Sequence, residues 1–189
     1  MTKPSDDDKA AILGLQMDLM ARIGSALLQV QMTERVLKLV MTYAIQKSSP
    51  LTATALFNQI EAEAKKTMGY FLAELRKRVD VDEHFERTLT EFLRRRNTLA
   101  HNLSDLPGWD TQTFQGLYVG RRFINELCAM NDEVLKVFTG VIMAWQLQRG
   151  DTSLPTDHEF FREVGTKYVP LVEGIFSLRN KGHCEHASI

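Results

Sequence analysis

The chain has 189 residues, of which 44% are hydrophobic and 25% charged, and its formal net charge is −1. This length and composition predict one soluble globular domain with a sizeable core. The near-neutral charge excludes a global basic field that gathers nucleic acid, so any RNA-binding role must depend on a local patch.

Membrane spans, signal peptides and disulfide frameworks are not indicated by the sequence. No apolar run approaches the roughly 20 residues that a membrane span needs, and the first residues are acidic where a signal peptide is basic. Cys128 lies in a helical pattern and Cys184 in a polar segment, so we do not expect them to form a disulfide. The sequence therefore predicts a cytoplasmic protein without membrane contact, bound metal or cofactor.

The first predicted helix begins after Pro4. Ser5 is its predicted N-cap, and the acidic residues that follow favour the positive end of the helix dipole. Apolar residues then recur three or four positions apart from Ile12 to Val30, and the pattern continues to Ile45 with a predicted bend near Thr33. The polar sequence Ser48-Ser49-Pro50 is predicted to end this helix.

A second helical region is predicted over about residues 52–78, with a break near Gly69. Asp80 then resembles an N-cap, because Glu83 follows three residues later as in a capping box. The helix that this box opens is predicted to cover about residues 81–102. It contains the chain's most informative motif.

A polar turn is predicted at residues 104–108. Asp110 is the predicted N-cap of a second long helix, which should end near Arg149. No stretch shows the sustained two-residue alternation that is typical of a strand. The sequence therefore predicts an all-α fold.

The last predicted helix opens at a capping box formed by Thr156 and Glu159, and it must bend or end near Pro170. Residues 179–189 form a polar tail that we expect to be disordered. The predicted organisation is thus a single all-α domain over residues 1–178, followed by this tail.

The motif reads Arg96-Asn97-Thr98-Leu99-Ala100-His101. A histidine can move protons near pH 7, and a guanidinium can hold a phosphate through two parallel hydrogen bonds. Asn97 adds a neutral donor and acceptor that could orient either group. Together these residue types suit phosphodiester chemistry without a metal ion.

Helical geometry separates the two charged groups of the motif. At about 100° per residue, Arg96 lies within the apolar stripe of its helix, whereas His101 lies about 140° away from Arg96. A charge at a position where the period demands an apolar residue is typical of a functional site. The stripe is formed by Phe85, Leu89, Phe92, Leu99 and Leu103.

Three arrangements would bring the two groups to one phosphate. The helix could unwind near residues 99–101, the long Arg96 side chain could curl towards His101, or a second subunit could supply one of the groups. By spacing alone, Arg94, Asn97 and His101 form a better one-sided cluster.

The sequence pattern Arg-Asn-x-x-Ala-His resembles the signature of the HEPN superfamily, and the resemblance extends over about residues 65–103. This resemblance implies a HEPN-like antiparallel helical bundle with long first and fifth helices, counting two helices between the first helix and the motif helix. Members of this superfamily commonly form homodimers and build an RNA site from both copies of the motif helix. The resemblance therefore also implies a homodimer.

The resemblance implies a metal-independent endoribonuclease with Arg96, Asn97 and His101 as catalytic residues. His101 acts as general base on a ribose 2′-hydroxyl or as general acid on the leaving 5′-oxygen, and Arg96 stabilises the phosphorane. The products end in a 2′,3′-cyclic phosphate or a 3′-phosphate. Arg94 and Arg95 contact flanking phosphates of the RNA.

Such proteins act in bacterial toxin–antitoxin systems, stress responses or antiphage defence, so an antitoxin or another regulatory protein is an expected partner. Two alternatives stay open at this point, because a fold does not fix a function. The chain could be a non-catalytic helical module that binds a protein or a nucleotide. It could also be a regulatory protein whose long first helix docks on a partner.

Overall fold

The computed structural model describes residues 5–44, 67–150 and 157–178, and these residues are predominantly α-helical. The main helices are α1 (Asp6–Leu39), α2 (Met68–Arg78), α3 (Glu83–His101) and α4 (Phe114–Gln148). Short helices α5 (Glu159–Glu163) and α6 (Val172–Ile175) and strands β1 (Val79–Val81) and β2 (Phe176–Leu178) complete the framework. Irregular helical turns cover Val40–Ala44, Leu103–Asp105, Val164–Tyr168 and Val169–Leu171.

The all-α class and the two long helices are thereby confirmed, since α1 has 34 residues and α4 has 35. The resemblance to a HEPN-like bundle stays a prediction. The predicted end of α1 at Ser48-Ser49-Pro50, the first part of the second helical region and the tail at 179–189 lie outside the described residues.

The start of α1 follows the sequence prediction. Ser5 is the N-cap, and its hydroxyl accepts a hydrogen bond from the backbone N–H of Asp8 at 3.1 Å. The Asp8 carboxylate accepts one in return from the backbone N–H of Ser5, which completes a capping box. These hydrogen bonds from Ser5 lower the pKa of Asp8.

The core lies between α1, α2, α3 and α4. The apolar stripe predicted on α3 is confirmed at four of its five positions, while Leu103 lies beyond the helix end and is partly buried. Each large apolar side chain buried in this way stabilises the fold by roughly 1.5–3 kcal/mol. The buried residues include Leu19, Ala26, Val30 and Leu37 of α1, Phe85, Leu89, Phe92 and Leu99 of α3, and Ile124, Leu127, Val134 and Phe138 of α4.

One polar pair lies inside the contact between α1 and α4. The buried Thr33 hydroxyl donates a hydrogen bond to the side-chain oxygen of the buried Asn131 at 2.8 Å. A one-residue slip of either helix would leave both polar groups buried without a partner, which costs about 1–3 kcal/mol per group. The pair therefore fixes the register of α1 on α4.

The expectation that the chain lacks strands is wrong. Strands β1 and β2 pair antiparallel, with Val79 opposite Leu178 and Val81 opposite Phe176. Three residues are too few to show a two-residue alternation, and the partners lie almost a hundred residues apart in sequence. The ladder continues where the backbone N–H of Asp82 donates to the carbonyl of Ile175 at 2.8 Å.

This ladder also corrects the predicted start of the motif helix. Asp80 lies within β1, and Asp82 is the N-cap of α3, whose carboxylate accepts from the backbone N–H groups of His84 and Phe85. The strand pairing keeps Asp80 within the ladder, so that the helix begins two residues later.

Two further predicted caps are wrong. Thr113 is the N-cap of α4, while Asp110 accepts a hydrogen bond from the backbone N–H of Gln112 and so closes the preceding turn. His158 is the N-cap of α5, and Thr156 lies outside the described residues. The predicted irregularity near Pro170 is confirmed, because the chain there forms consecutive short helical turns.

The loop between α3 and α4 packs closely on α4. A Cβ atom at Gly116 would overlap the backbone of Asp110, and a Cβ atom at Gly120 would overlap the ring of Trp109. These two glycines therefore allow the loop to lie directly against the first turns of α4. As a result, the C-terminal end of α3 is held beside the N-terminal end of α4.

Helix α1 is long and apolar enough to cross a membrane, by length and composition alone. The prediction from continuous apolar runs did not find it, because Asp18 and Arg22 interrupt the sequence and pair with each other at 2.8 Å. One face of α1 packs in the protein core. A core helix of this kind meets the same length and composition criteria.

Candidate functional site

Arg96 faces α1 and is bound there by an acidic side chain. Its Nε and Nη2 atoms donate to Glu34 Oε1 at 2.8 and 2.7 Å, and Nη1 donates to the side-chain oxygen of Asn97 at 3.0 Å. The side chains of Arg96 and Glu34 are 22% and 18% exposed. The charge that breaks the apolar stripe is therefore compensated within the chain.

His101 is the last residue of α3 and is exposed to solvent. Its imidazole makes no hydrogen bond with any residue that the structure describes. Helix α3 remains α-helical through His101, and the Arg96 side chain points to Glu34 instead of curling towards the histidine. Of the three predicted arrangements, only the contribution of a second subunit stays a prediction.

The one-sided cluster predicted from spacing has the required exposure. Arg94, Asn97 and His101 are all exposed on α3. The side-chain oxygen of Asn97 accepts from Arg96, and its two amide N–H groups make no hydrogen bond with the part of the chain that the structure describes. This exposed face can present a guanidinium, a carboxamide and an imidazole to one bound molecule.

Arg94 and Arg95 differ strongly in their accessibility. Arg94 is 63% exposed and binds both carboxylate oxygens of Glu91. Arg95 is 17% exposed and joins α3 to α4 through Glu91 and Glu126, at 2.7 Å each, with its guanidinium over the ring of Phe123. Arg94 is therefore accessible to a ligand at the surface while it is paired with Glu91, whereas Arg95 mainly holds the two helices together.

The acidic partners of these arginines stay ionised. Hydrogen bonds from Arg94, and then from Arg95, lower the pKa of Glu91 to about 2 against the opposing effect of burial. Arg122 and Arg95 lower the pKa of Glu126 in the same way. Three guanidinium groups thus share two carboxylates, which leaves one positive charge in the cluster.

A groove of about 310 Å³ runs between α3 and α4 beside these groups. Arg94, Tyr118 and Arg122 line it, and the Tyr118 side chain is 62% exposed. Arg122 donates from Nε to Glu126 at 2.8 Å, while its two Nη groups make no hydrogen bond among the described residues. An adjoining cavity of about 390 Å³ shares Tyr118 and is lined by Phe114 and Arg121.

The sequence prediction did not identify the α4 side of this groove. Phe114 and Tyr118 are four residues apart and lie on one helix face, and Arg121 and Arg122 follow Tyr118 by three and four residues. Exposed aromatic residues beside arginines are residue types that proteins use to stack bases and contact phosphates of single strands. This combination lies outside the motif helix, and only the tertiary structure places it beside Arg94.

Among the described residues, no group of three or more His, Cys, Asp or Glu side chains could hold a metal ion. Comparison with protein-family models, with curated proteins and with solved structures finds no match to this chain. The likeness to HEPN proteins therefore rests on the α3 motif and its helical surroundings.

Proposed function

We propose that this chain is a HEPN-like, metal-independent endoribonuclease whose active face is the exposed side of α3. The observation that carries the proposal is the exposed cluster of Arg94, Asn97 and His101 beside a groove lined by arginines and a tyrosine. The resemblance places such an enzyme in toxin–antitoxin, stress or antiphage functions, and the cysteine usage of the sequence favours the cytoplasm. A regulatory protein or antitoxin is its expected protein partner.

The proposed reaction is a transesterification within the RNA strand. His101 of one copy accepts the proton of a ribose 2′-hydroxyl as the 2′-oxygen attacks the adjacent phosphorus. The bond from phosphorus to the 5′-oxygen breaks, and protonated His101 of a second copy donates a proton to that oxygen. The products are a 2′,3′-cyclic phosphate and a 5′-hydroxyl, and later addition of water to the cyclic ester gives a 3′-phosphate.

The charge that develops on the phosphorane needs cationic and neutral donors. Arg94 and the Asn97 amide lie on the same exposed face as His101 and can donate to the non-bridging oxygens. Arg96 of the second copy joins them when it exchanges Glu34 for the phosphate, because both partners offer oxygens to a planar guanidinium. Glu34 therefore competes with the substrate for Arg96.

The groove between α3 and α4 supplies the binding energy for a flanking nucleotide. Arg94 and Arg122 can contact the phosphate, and the exposed Tyr118 ring offers a stacking platform for a base. Arg95 supports the groove from beneath through its contacts with Glu91 and Glu126. This local patch supplies the positive charge for RNA binding that the whole chain, with its net charge of −1, does not provide.

Replacing Tyr118 or Arg122 by alanine should weaken RNA binding. Loss of one stacked base costs about 1–3 kcal/mol, which corresponds to a roughly 5- to 150-fold higher Kd for Tyr118→Ala. Arg122→Ala should also reduce the slope of log K against log salt by about 0.7. Fluorescence anisotropy with a labelled single-stranded RNA, in a His101→Ala background that does not cut it, measures both effects.

Arg87→Ala is the matched control for this experiment, because Arg87 is exposed on α3 and does not line the groove. It should leave the Kd within about twofold of the starting protein. Equal affinities for the Tyr118, Arg122 and Arg87 variants would place the RNA elsewhere on the protein.

Cleavage without metal ions tests the proposed activity itself. Purified protein incubated with total RNA and tRNA in excess EDTA should produce fragments that end in 2′,3′-cyclic phosphate or 3′-phosphate. RNA that stays intact with the folded protein would contradict the proposal and favour a non-catalytic role.

A non-catalytic helical module that binds a protein or nucleotide is the second candidate function. The ion pair between Arg96 and Glu34 favours it, because Arg96 already has a partner 62 positions away in the same chain. In that case the arginine in the motif serves the packing of α3 on α1. The two candidates predict different effects of the Arg96 and Glu34 substitutions on the rate of RNA cleavage.

Arg96→Ala and Glu34→Ala should each lower the free energy of unfolding by about 1–3 kcal/mol, because each leaves a partly buried charge without its partner. The double variant should lose less than the sum of the two single losses, as measured by urea unfolding of all four proteins. Additive losses would mean that the ion pair between Arg96 and Glu34 contributes no interaction free energy to stability. RNA cleavage then separates the candidates: a catalytic Arg96 requires a larger loss of rate in Arg96→Ala than in Glu34→Ala.

A further inference from the structure

The cavity that adjoins the groove lies between α4 and the N-terminal part of α1. Leu15 lies one turn before Leu19 on α1, but Leu15 is 36% exposed whereas Leu19 is 2% exposed. Leu15, the buried Leu117 and the half-exposed Phe114 give the cavity an apolar lining. Its volume of about 390 Å³ is within the range of roughly 300–1,000 Å³ of small-molecule sites. The cavity is therefore large enough for a flat aromatic ring system such as a nucleobase.

Tyr118 and Gln115 lie between this cavity and the groove, since both residues line both spaces. They are three residues apart on α4 and therefore belong to one helix face. The Tyr118 ring is 62% exposed and can meet a base from either side. The exposed Gln115 offers a donor and an acceptor to the edge of such a base. Two concave sites thus share one exposed aromatic residue.

Each of the two sites also has its own arginine. Arg122 lines the groove, and Arg121 lines the adjoining cavity. Arg121 is exposed and makes no hydrogen bond or ion pair with the residues that the structure describes. The nearby Asp18 is held by Arg22 at 2.8 Å, and its pKa is lowered first by this hydrogen bond and to a smaller extent by the charge of Arg121. Arg121 therefore keeps its donors for an anion such as a phosphate.

This combination suits an unpaired strand better than a duplex. Each site offers an aromatic or apolar surface for one base and a guanidinium for one phosphate. In a double helix the bases are paired and stacked inside, so neither site could take one. An unpaired strand can turn successive bases towards the protein while its phosphates stay near the arginines.

We infer that the adjoining cavity binds a second unpaired base of the RNA, so that two consecutive nucleotides lie on either side of Tyr118. Phe114 stacks with this second base, and Arg121 contacts its phosphate. The substrate class is thereby single-stranded RNA. The inference rests on the proposed function for the identity of the ligand, but its test measures binding instead of cleavage.

Substitutions on the α1 side of Tyr118 test the second site. In a His101→Ala background, Phe114→Ala should raise the Kd for a labelled single-stranded RNA roughly 5- to 150-fold, as expected for the loss of one stacked base. Phe114→Tyr keeps an aromatic ring and should stay within about threefold of the starting protein. Arg121→Ala should reduce the slope of log K against log salt by about 0.7. Fluorescence anisotropy measures all of these effects.

Tyr70→Ala and Arg87→Ala are the matched controls, because both residues are exposed and line neither site. Each should leave the Kd within about twofold of the starting protein. Circular dichroism should show that all of the variants are folded.

RNAs with one abasic residue, placed at each position in turn, locate the two bases. At one position the abasic residue should abolish the effect of Phe114→Ala on the Kd, since the base that Phe114 contacts is then absent. Tyr118→Ala should show this loss of effect at that position and at its neighbour. A duplex that contains the same sequence should bind about 10-fold or more weakly and should not respond to Phe114→Ala.

Unchanged RNA affinity in Phe114→Ala and Arg121→Ala, with weakened binding in Tyr118→Ala and Arg122→Ala, would overturn the inference and leave the proposed function intact. A duplex that binds as tightly as the single strand would also overturn it. Adenosine 5′-monophosphate that binds in a Phe114-dependent way, while RNA does not, would assign the cavity to a free nucleotide. Failure of every variant to bind RNA would likewise overturn the inference, while the cleavage assay in EDTA decides on the proposed activity separately.

Discussion

Replacing His101 by alanine should lower the rate of RNA cleavage by about 100- to 10,000-fold, the usual contribution of a positioned general acid or base. His101 is exposed at the end of α3 and makes no hydrogen bond among the described residues, so its loss removes no packing or buried contact. The variant should therefore unfold at the same denaturant concentration as the wild type. Single-turnover cleavage of a labelled RNA in EDTA measures the rate.

His84→Ala is the matched control, because His84 is also exposed on α3 but lies at the opposite end of the helix. It should cleave RNA at the wild-type rate. Equal rates for wild type, His84→Ala and His101→Ala would show that the imidazole at the end of α3 takes no part in catalysis. The proposed active face would then be wrong even if the protein cuts RNA.

Replacing Phe138 by alanine should lower the free energy of unfolding by about 3–5 kcal/mol. The Phe138 ring is completely buried, meets the ring of Phe85 edge to face at a centroid distance of 6.0 Å, and stacks with Phe176 at 6.1 Å. It thereby joins α4 to the start of α3 and to β2. Urea unfolding followed by circular dichroism measures the loss.

Tyr118→Ala provides the contrast for this prediction, since Tyr118 lies on the same helix as Phe138 but is mostly exposed. It should change the free energy of unfolding by less than about 0.5 kcal/mol while weakening RNA binding. Phe138→Ala should do the reverse at temperatures where it remains folded. Similar stability losses in the two variants would mean that the aromatic residues of α4 are not divided between core and surface as described.

Local signals in the sequence predicted a large part of this fold. Ser5 begins α1 because a capping hydroxyl acts within three residues of itself, and the polar turn after α3 ends that helix for an equally local reason. The apolar stripe on α3 was predictable because its period matches the helix. Helix α4 ends one residue before the predicted limit.

Features that depend on distant residues were not predictable in this way. The choice of Asp82 over Asp80 as N-cap follows from the pairing of β1 with β2, which joins segments from the two halves of the chain. The partner of Arg96 is Glu34, on a helix whose orientation no local pattern specifies. A charge within an apolar stripe therefore indicated a special position without showing whether an acidic side chain or a phosphate occupies it.

The α3 side of the candidate site was predicted, but its α4 side was not, because it depends on residues that are distant in sequence. Spacing alone grouped Arg94, Asn97 and His101, and the structure exposes all three on α3. Arg95 was expected to contact RNA, but it is mostly buried between the helices and its contact with RNA stays a prediction. Tyr118 and Arg122 complete the groove from α4, and no signal near the motif could have placed them there.

The most direct test of the proposed chemistry uses an RNA in which the ribose at one mapped cleavage position lacks its 2′-hydroxyl. In excess EDTA, the unmodified RNA should be cut at that position to leave a 2′,3′-cyclic phosphate, and the modified RNA should stay intact there while other positions are still cut. Cleavage of both RNAs at the same rate, or of neither at any position, would contradict a metal-free attack by the 2′-hydroxyl.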